Sequence, residues 1–367
     1  MFWWKNTKRF STPSSLNIFM NFNQYKGDFE EAAFQAGYTE PEIRSLLEYA
    51  RKLNNHNLPI IFDQKHFSEL VGYTYDYILG VTNFTSLYYK HYQIPKKNDT
   101  YRQLDEPYPD LKSIQEWILH AILEPASRVF VSSVAKAFLP GKNLRDNARF
   151  HRNKKKVVSL DIHDFFGSIR YGLVYGVFTR LGYAKSVSTL LTKLCMYRGS
   201  LPQGAPTSPM LSNLIFKDID DRLLSYCKQR RINYTRYADD MTFSGNSIDT
   251  DHLIPYVKNA VQTLGLQLNE EKTNVMGRGM CQKVTGIVVN ERLQAQRHYR
   301  KKIRQEVYYI IKYGLASHLQ HLKDYPAWIQ TEKHYMHYLL GKVNYVLQVN
   351  PHDREFQQYA AWLCCLL

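Results

Sequence analysis

Hydrophobic and polar positions alternate along the chain with two different periods, and the switches between them outline the elements. Apolar residues at helical spacing mark "DFEEAAFQAGYTEPEIRSLLEYARKLNNH" (28–56), with Pro41 in the first turn of a second helix. Residues 66–92 read as one or two short helices and then a strand, and 93–110 as a basic hairpin around a polar turn. The spacing predicts an amphipathic helix over 111–126, closed by Pro125. The β-branched run "KVVSL" predicts a strand that reaches Asp161 and enters a polar turn. Two helices follow over 171–199, and then a Pro/Gly loop opens one long helix over 201–230. "YTRYADDMTFSG" (234–245) reads as strand, turn, strand, with Asp239 and Asp240 at the tip. A helix from Asp251 to Gly265, a small hairpin over 281–295 and a basic helix over 297–314 complete the series. In that last helix Ile303, Val307, Ile310 and Ile311 keep a helical apolar spacing and read as core.

Composition narrows the class. The chain has 367 residues, enough for two or three subdomains, and 44% hydrophobic content, as expected of a globular protein. No apolar run approaches the ~18 residues of a membrane helix, and "MFWWKNTKRFSTPSS" lacks the apolar core of a signal peptide. Cys195, Cys227, Cys281, Cys364 and Cys365 form no CxxC pair, so neither a zinc finger nor a disulfide framework is expected, and a reducing cytoplasm fits. The net charge of +15 suits a polyanion, and the 28 Tyr and 18 Phe add ring faces on which unpaired bases stack.

The chemistry starts from the adjacent carboxylates. Asp-Asp is an ordinary turn dipeptide, but its strand flanks make this one a rigid hairpin tip. Two like charges held side by side call for a cation, and hard oxygen ligands suit Mg2+. A third carboxylate at a strand end would complete a site. Asp161 fits, and Asp164 is its rival three residues on, in the turn. With the strand to Asp161 beside the hairpin in one antiparallel sheet, two Mg2+ ions could clamp the attacking and leaving oxygens of a phosphoryl transfer. Phe165 and Phe166, next to that strand end, read either as core or as one ring that excludes a sugar 2′-hydroxyl.

These segments resemble the reverse transcriptases, and among them the bacterial retron type. "SLDIHDFFGSI" looks like the family's first catalytic motif, "LPQGAPTSPMLSN" like its nucleotide- and template-contacting motif, "YADD" like its metal-binding hairpin, and "LGLQLNEEKTNVM" like the lysine-bearing motif after it. "DNARFH", with Asn147, Ala148 and His151, resembles the retron NAxxH motif, and "KVTGIVVN", with Val284, Thr285 and Gly286, its VTG motif. The likeness spans about residues 66–345, and residues 1–65 stand outside it as an extension.

The resemblance implies an α+β right-hand polymerase fold with an antiparallel palm sheet. Its parts would be a helical N-terminal extension (1–65), fingers and palm (66–280), and a primer-grip hairpin with a helical basic thumb (281–367). It implies Asp161, Asp239 and Asp240 as ligands of two Mg2+ ions, and Phe166 as the deoxyribose gate. Gln203 would lie near the incoming deoxynucleotide and template base, and Arg102 is either a triphosphate contact or a solvated arginine. Lys272 would approach the pyrophosphate. Asn147 and His151 either brace the structure or meet RNA, and Val284, Thr285 and Gly286 would lie at the primer. The reaction implied is RNA-directed DNA synthesis on a cognate structured noncoding RNA. Its product would be multicopy single-stranded DNA, made in an anti-phage defence system with a nearby-encoded effector protein and no membrane. The alternatives are another bacterial reverse transcriptase, group II intron-like or abortive-infection type, and a non-catalytic RNA-binding scaffold.

Overall fold

The computed structural model describes residues 22–95, 101–321, 328–329 and 331–367. The turn of the basic hairpin and the N-terminal "MFWWKNTKRFSTPSS" lie outside them. The chain forms two compact units, each made of three sequence segments. The first is Met1–Phe138, Ile162–Arg222 and Val257–Leu268, and the second is Leu139–Asp161, Leu223–Tyr256 and Asn269–Leu367. Compactness therefore groups the chain by interleaved segments.

The first unit begins with α1 (Phe22–Gln35) and α2 (Glu40–Asn55). Thr39 caps α2 through a capping box with Glu42, and Pro41 stands in its first turn as expected. Ile43 and Leu47 of α2 pack on Ala33 and Phe29 of α1. Helices α3 (Gln64–Val71) and α4 (Tyr75–Asn83) lead into β1 (Tyr89–Pro95), which pairs antiparallel with β2 (Tyr101–Pro107). The N-terminal residues are fastened to the rest of this unit: Tyr183 donates to the Pro59 carbonyl at 3.1 Å, and the Ala184 N–H donates to the Tyr49 hydroxyl at 3.4 Å.

The helix expected to stop at Pro125 does not stop. Helix α5 (Pro109–Ile118) passes through a π-helical turn (Leu119–Leu123) into α6 (Glu124–Phe130), with Pro125 in the first turn of α6. Proline has no N–H to give the preceding turn, and one wider turn absorbs the missing bond without ending the helix. Gln115 of α5 is fully buried and donates to the Tyr89 hydroxyl at 2.9 Å and the Leu194 carbonyl at 2.8 Å. It ties the base of the hairpin to α10 (Lys185–Cys195), which follows α7 (Leu144–Ala148), α8 (Phe165–Ser168) and α9 (Tyr171–Arg180) in the chain. The long helix expected over 201–230 is two helices, α11 (Ser208–Ile215) and α12 (Lys217–Gln229), broken at Phe216.

The second unit is built on a four-stranded sheet. Its strands are β3 (Lys156–Ile162), β4 (Asn233–Tyr237), β5 (Asp240–Gly245) and β6 (Leu268–Gly277), in the order β4-β5-β3-β6. Strand β5 runs antiparallel to both β4 and β3. Alternation along the strands divides the sheet into two faces. Leu160, Val158, Met241, Phe243 and Tyr234 share one, where the Tyr234 and Phe243 rings stack at 4.7 Å. Asp161, Ser159, Asp240, Thr242, Ser244 and Thr235 share the other. Helix α13 (Thr250–Gln262) carries Pro255 within it.

The expected second hairpin is short, β7 (Lys283–Val284) against β8 (Ile287–Val288). Beyond it lie α14 (Arg297–Tyr313), α15 (Leu315–His321), α16 (Glu332–Val349) and α17 (Arg354–Leu366). Ile303, Val307, Leu339, Val343, Phe356 and Leu363 form their shared core, while Ile311 of α14, read as core from its spacing, is 63% exposed. Charged pairs fasten this core at its margin: Arg304 holds Glu355 through two bonds of 2.6 Å, and Lys342 reaches Glu306 at 2.5 Å. All five cysteines are free thiols. Among the described residues no helix is long and apolar enough to cross a membrane.

Candidate active site

The carboxylates meet where β3 and β5 end together. Asp161 is the residue opposite Asp240 in the antiparallel register, and Tyr237 opposes Asp240 on the other side. The loop from β4 to β5 is only Ala238 and Asp239, which sets Asp239 beside the pair. Ala238 takes a left-handed φ of 57°, a conformation that costs a residue with a Cβ roughly 1 kcal/mol. Something must hold it there. Arg236, on the apolar face of the sheet and fully buried, donates from Nη1 to the Ala238 carbonyl at 3.0 Å. An arginine between strand aromatics is the signal in "YTRYADD" that our sequence reading left unused.

Carboxylates crowd this sheet end. Burial, and then the neighbouring Asp239 and Asp161, push the Asp240 carboxyl up to about 6. Lys272 of β6 offsets part of this. Its ammonium donates to Asp161 Oδ1 at 2.9 Å, and that bond raises the lysine above its ordinary value. The lysine side chain is 62% exposed and that of Asp161 only 10%. Among the described residues no group of three His, Cys, Asp or Glu side chains forms a ready-made metal cage. The donor set nevertheless fits a divalent cation. It is made of hard carboxylate oxygens, and a cation would relieve the repulsion that, after burial, Asp239 and Asp161 add to the upward push on Asp240. Asp164, the rival ligand, lies just past β3 in the other unit, where it sits against Gly167: a Cβ there would come within 2.2 Å of its Oδ2.

The NAxxH residues face inward. Asn143 caps α7 through a capping box with Asp146, and a 3-10 turn (Arg149–His151) continues it. His151 is fully buried, with Nδ1 2.8 Å from Ser244 Oγ and Nε2 2.7 Å from Thr235 Oγ1. Thr235 donates to Asn147 Oδ1 at 2.5 Å, and Asn147 Nδ2 donates to Thr285 Oγ1 at 3.5 Å. Burial depresses the His151 imidazole to about 3, so it is neutral at physiological pH. Of the two readings open for Asn147 and His151, these contacts are those of a brace: neither side chain reaches the surface.

The VTG residues form the tight turn between β7 and β8. Thr285 and Gly286 both have positive φ, 45° and 84°, as the favoured two-residue hairpin turns require. Glycine adopts this freely, whereas β-branched Thr285 is strained there. The Asn147 amide on its hydroxyl and Gln296 Nε2, donating to the Gly286 carbonyl at 3.3 Å, hold the turn. Val284 is buried with Ala148, Val157 and Ile287. Gly286 lines an open cavity of about 310 Å³ with Gln296, His298, Tyr299 and Tyr345. Gln282, also missed from sequence, donates its buried amide to the Lys154 carbonyl at 3.0 Å and to the Met276 carbonyl at 3.3 Å.

The expected nucleotide contacts Arg102, Phe166 and Gln203 belong to the first unit. Arg102 is exposed on β2. Of the Phe pair, Phe165 is core, 5.3 Å from the Phe216 ring, while Phe166 is half-buried and 6.5 Å from Phe138, whose own φ is 59°. In the "PQG" turn the Gln203 carbonyl accepts from the Asp105 N–H at 2.7 Å. At Gly204 (φ 130°) a Cβ would come within 2.8 Å of the Asp105 carbonyl oxygen. The backbone that this glycine admits is therefore the chain's own, that of β2.

Residues 94–333 match the family described as reverse transcriptase (RNA-dependent DNA polymerase). The Retron Ec86 reverse transcriptase of Escherichia coli is 32% identical over 282 residues, 76% of this chain and 87% of that one. The Retron Mx65 reverse transcriptase of Myxococcus xanthus is 29% identical over 316 residues, 78% of this chain and 72% of that one. Among solved structures, Candida albicans telomerase in complex with a fragment of telomeric RNA aligns over 75% of this chain and 64% of that one, at 8% identity and a TM-score of 0.46.

Proposed function

The chain belongs to the reverse transcriptase family, in its retron type, and is an RNA-directed DNA polymerase; from that premise we propose that it copies a structured noncoding RNA of its own retron into multicopy single-stranded DNA, a branched RNA–DNA hybrid. The observation that carries the reading is the carboxylate end of the sheet: Asp161 opposite Asp240, Asp239 beside them, and a lysine on Asp161. Asp161, Asp239 and Asp240 would hold divalent ions, in this reading two Mg2+, which when bound supply charge neutralisation at the reacting oxygens. Lys272 stays protonated and within reach of the trio, which suits it to give a proton to the departing pyrophosphate. Phe166 excludes a 2′-hydroxyl, Arg102 takes the triphosphate of the incoming deoxynucleotide, and Gln203 lies by the template base.

Asn147 and His151 act on RNA and primer through what they hold in place, and Val284, Thr285 and Gly286 shape the turn that meets the primer. Residues 66–280 act as fingers and palm, 281–367 as primer hairpin and thumb, and 1–65 as an extension. The enzyme works in the cytoplasm, within an anti-phage system whose effector protein it and its DNA hold in check.

The test is expression with the flanking noncoding DNA. Small nucleic acids are treated with RNase and debranching enzyme and run on a denaturing gel. A discrete DNA band, branched before treatment and absent from the Asp239→Asn/Asp240→Asn variant, is the expected result. Absence of the band, with good extension of a generic primed RNA, would move the chain to another class of reverse transcriptase. Phe166→Ala should raise ribonucleotide incorporation relative to deoxyribonucleotide about 10–100-fold, read by competition in single-nucleotide extension.

A further inference from the structure

One face of the β1–β2 hairpin, in the first unit, carries a polar relay that the chemistry above does not use. His91 of β1 stands directly opposite Asp105 of β2 in the antiparallel register. Its ring lies between two partners: Nδ1 is 2.8 Å from Asp105 Oδ1, and Nε2 is 3.3 Å from the Tyr197 hydroxyl. A carboxylate only accepts, so Nδ1 carries a proton, and Nε2 of the neutral ring accepts from Tyr197. Tyr197 is buried, its ring centre 4.6 Å from that of Tyr89, the residue whose hydroxyl Gln115 holds.

The backbone closes the relay into a ring. Tyr197 and Ser200 exchange N–H···O=C bonds of 2.9 and 3.0 Å across a two-residue turn, in which Arg198 (φ 47°) and Gly199 (φ 77°) are both left-handed. The chain then reaches Gln203, whose carbonyl accepts from the Asp105 N–H, and Gly204, which lies against the Asp105 carbonyl. Asp105 is thus joined to the segment 197–204 twice, through its side chain by way of His91 and through its backbone. One attachment would leave a pivot, whereas two fix orientation as well as distance. By strand alternation the side chains of Asp105 and Arg102 lie on opposite faces of the hairpin, so the relay grips β2 from one side and leaves Arg102 on the other.

We propose that Asp105, His91 and Tyr197 form a clasp that holds Arg102, on β2, and Gln203, on the loop, at one fixed separation, so that both meet the same incoming deoxynucleotide. His91 is a positioning residue in this clasp: it acts through the two elements that it joins. The clasp rests on the proposed nucleotide roles of Arg102 and Gln203 and adds what makes them act as a pair.

The test uses the full chain with oligo(dT) on poly(rA), Mg2+ and dTTP, with rates referred to titrated active sites. Affinity for dTTP on a dideoxy-ended primer is measured in parallel, so that the clasp is decided even where turnover is low. His91→Ala removes both bonds. It should raise the KM for dTTP about 5–10-fold, with kcat within about twofold and affinity for the primed template unchanged. Tyr197→Phe keeps the ring and loses only the hydroxyl, while His91→Asn keeps a donor for Asp105 and loses the reach to Tyr197. Each should raise KM about 2–4-fold, and because both remove the same bond, their combination should do no more than either alone. A residue that served folding only would lower the number of active sites and leave KM untouched. A KM and a dTTP affinity within about twofold of the unmodified chain in His91→Ala overturn the clasp, as do effects of Tyr197→Phe and His91→Asn that multiply when combined. Arg102→Ala tests the role underneath. An unchanged KM there would remove Arg102 from the nucleotide, and a raised KM in His91→Ala beside it would leave the clasp acting through Gln203.

Discussion

One face of the four-stranded sheet ends in two different ways. At one end Thr235 and Ser244 meet His151 and Asn147, and every named polar group there has a partner inside the protein. At the other end Asp240 faces Asp161 with Asp239 alongside, and the Lys272 ammonium donates to Asp161. The strands are the same, the residues are polar at both ends, and the difference lies in completion. A polar cluster that closes on itself is a fastening. One that sets like charges side by side favours an added positive charge.

The largest effect that would test this contrast comes from the open end. Asp239→Asn with Asp240→Asn should lower the rate of primer extension by about 10³-fold or more, roughly 4 kcal/mol, with RNA binding nearly unchanged and no fall in the urea midpoint. A large fall in stability would mean that the carboxylates, too, serve the fold. At the closed end the prediction reverses. His151→Ala should cost about 2–4 kcal/mol in urea unfolding, because two buried hydroxyls lose their partner and a cavity opens. Its pH dependence has a definite sign. A histidine held near 3 when folded and near 6.5 when unfolded stabilises the native state above pH ~6.5. That contribution is lost as pH falls toward 3, so the alanine variant should show a flatter acid limb.

Protons sharpen the comparison further. With Asp240 near 6 in the cation-free protein, Mn2+ binding should release a proton and weaken about tenfold per pH unit below 6. Calorimetry in two buffers of different ionisation heat measures the proton count, and a count of zero would refute the electrostatic account. The smallest effect is on stability without metal. The raised Asp240 carboxyl favours the folded state below pH ~4, and that contribution disappears as pH rises through 6. At pH 7 Asp240→Asn should therefore raise the cation-free midpoint by roughly 2 °C, about 1 kcal/mol after allowance for partial exposure.

Much of the open end was legible in the sequence. Adjacent aspartates inside a strand–turn–strand pattern, and a β-branched run ending in a third, are local signals, and the register joins them. The closed end was hidden because its signals are single hydroxyls, Thr235 and Ser244, which lie 84 and 93 positions from their partner His151. No local period encodes such a pairing. Arg236 was overlooked because its task, holding the Ala238 carbonyl, exists only once the turn is formed. The helix breaks were misplaced for a related reason. Proline in "ILEPAS" punctuates strongly in isolation, but a π-helical turn lets the helix run on. Nothing near the "PQG" glycine in the sequence names its neighbour, which is the backbone of β2.

The order of segments has a consequence for how the enzyme comes into being. Residues of the sheet are spelled out at 156–162, 233–245 and 268–277, with pieces of the other unit between them. During synthesis on the ribosome, the strand that carries Lys272 to Asp161 is the last of the four to emerge. A nascent chain that stops short of it can carry all three aspartates and still lack the lysine that meets Asp161. The contact between Lys272 and Asp161 is thereby postponed until most of the message has been read.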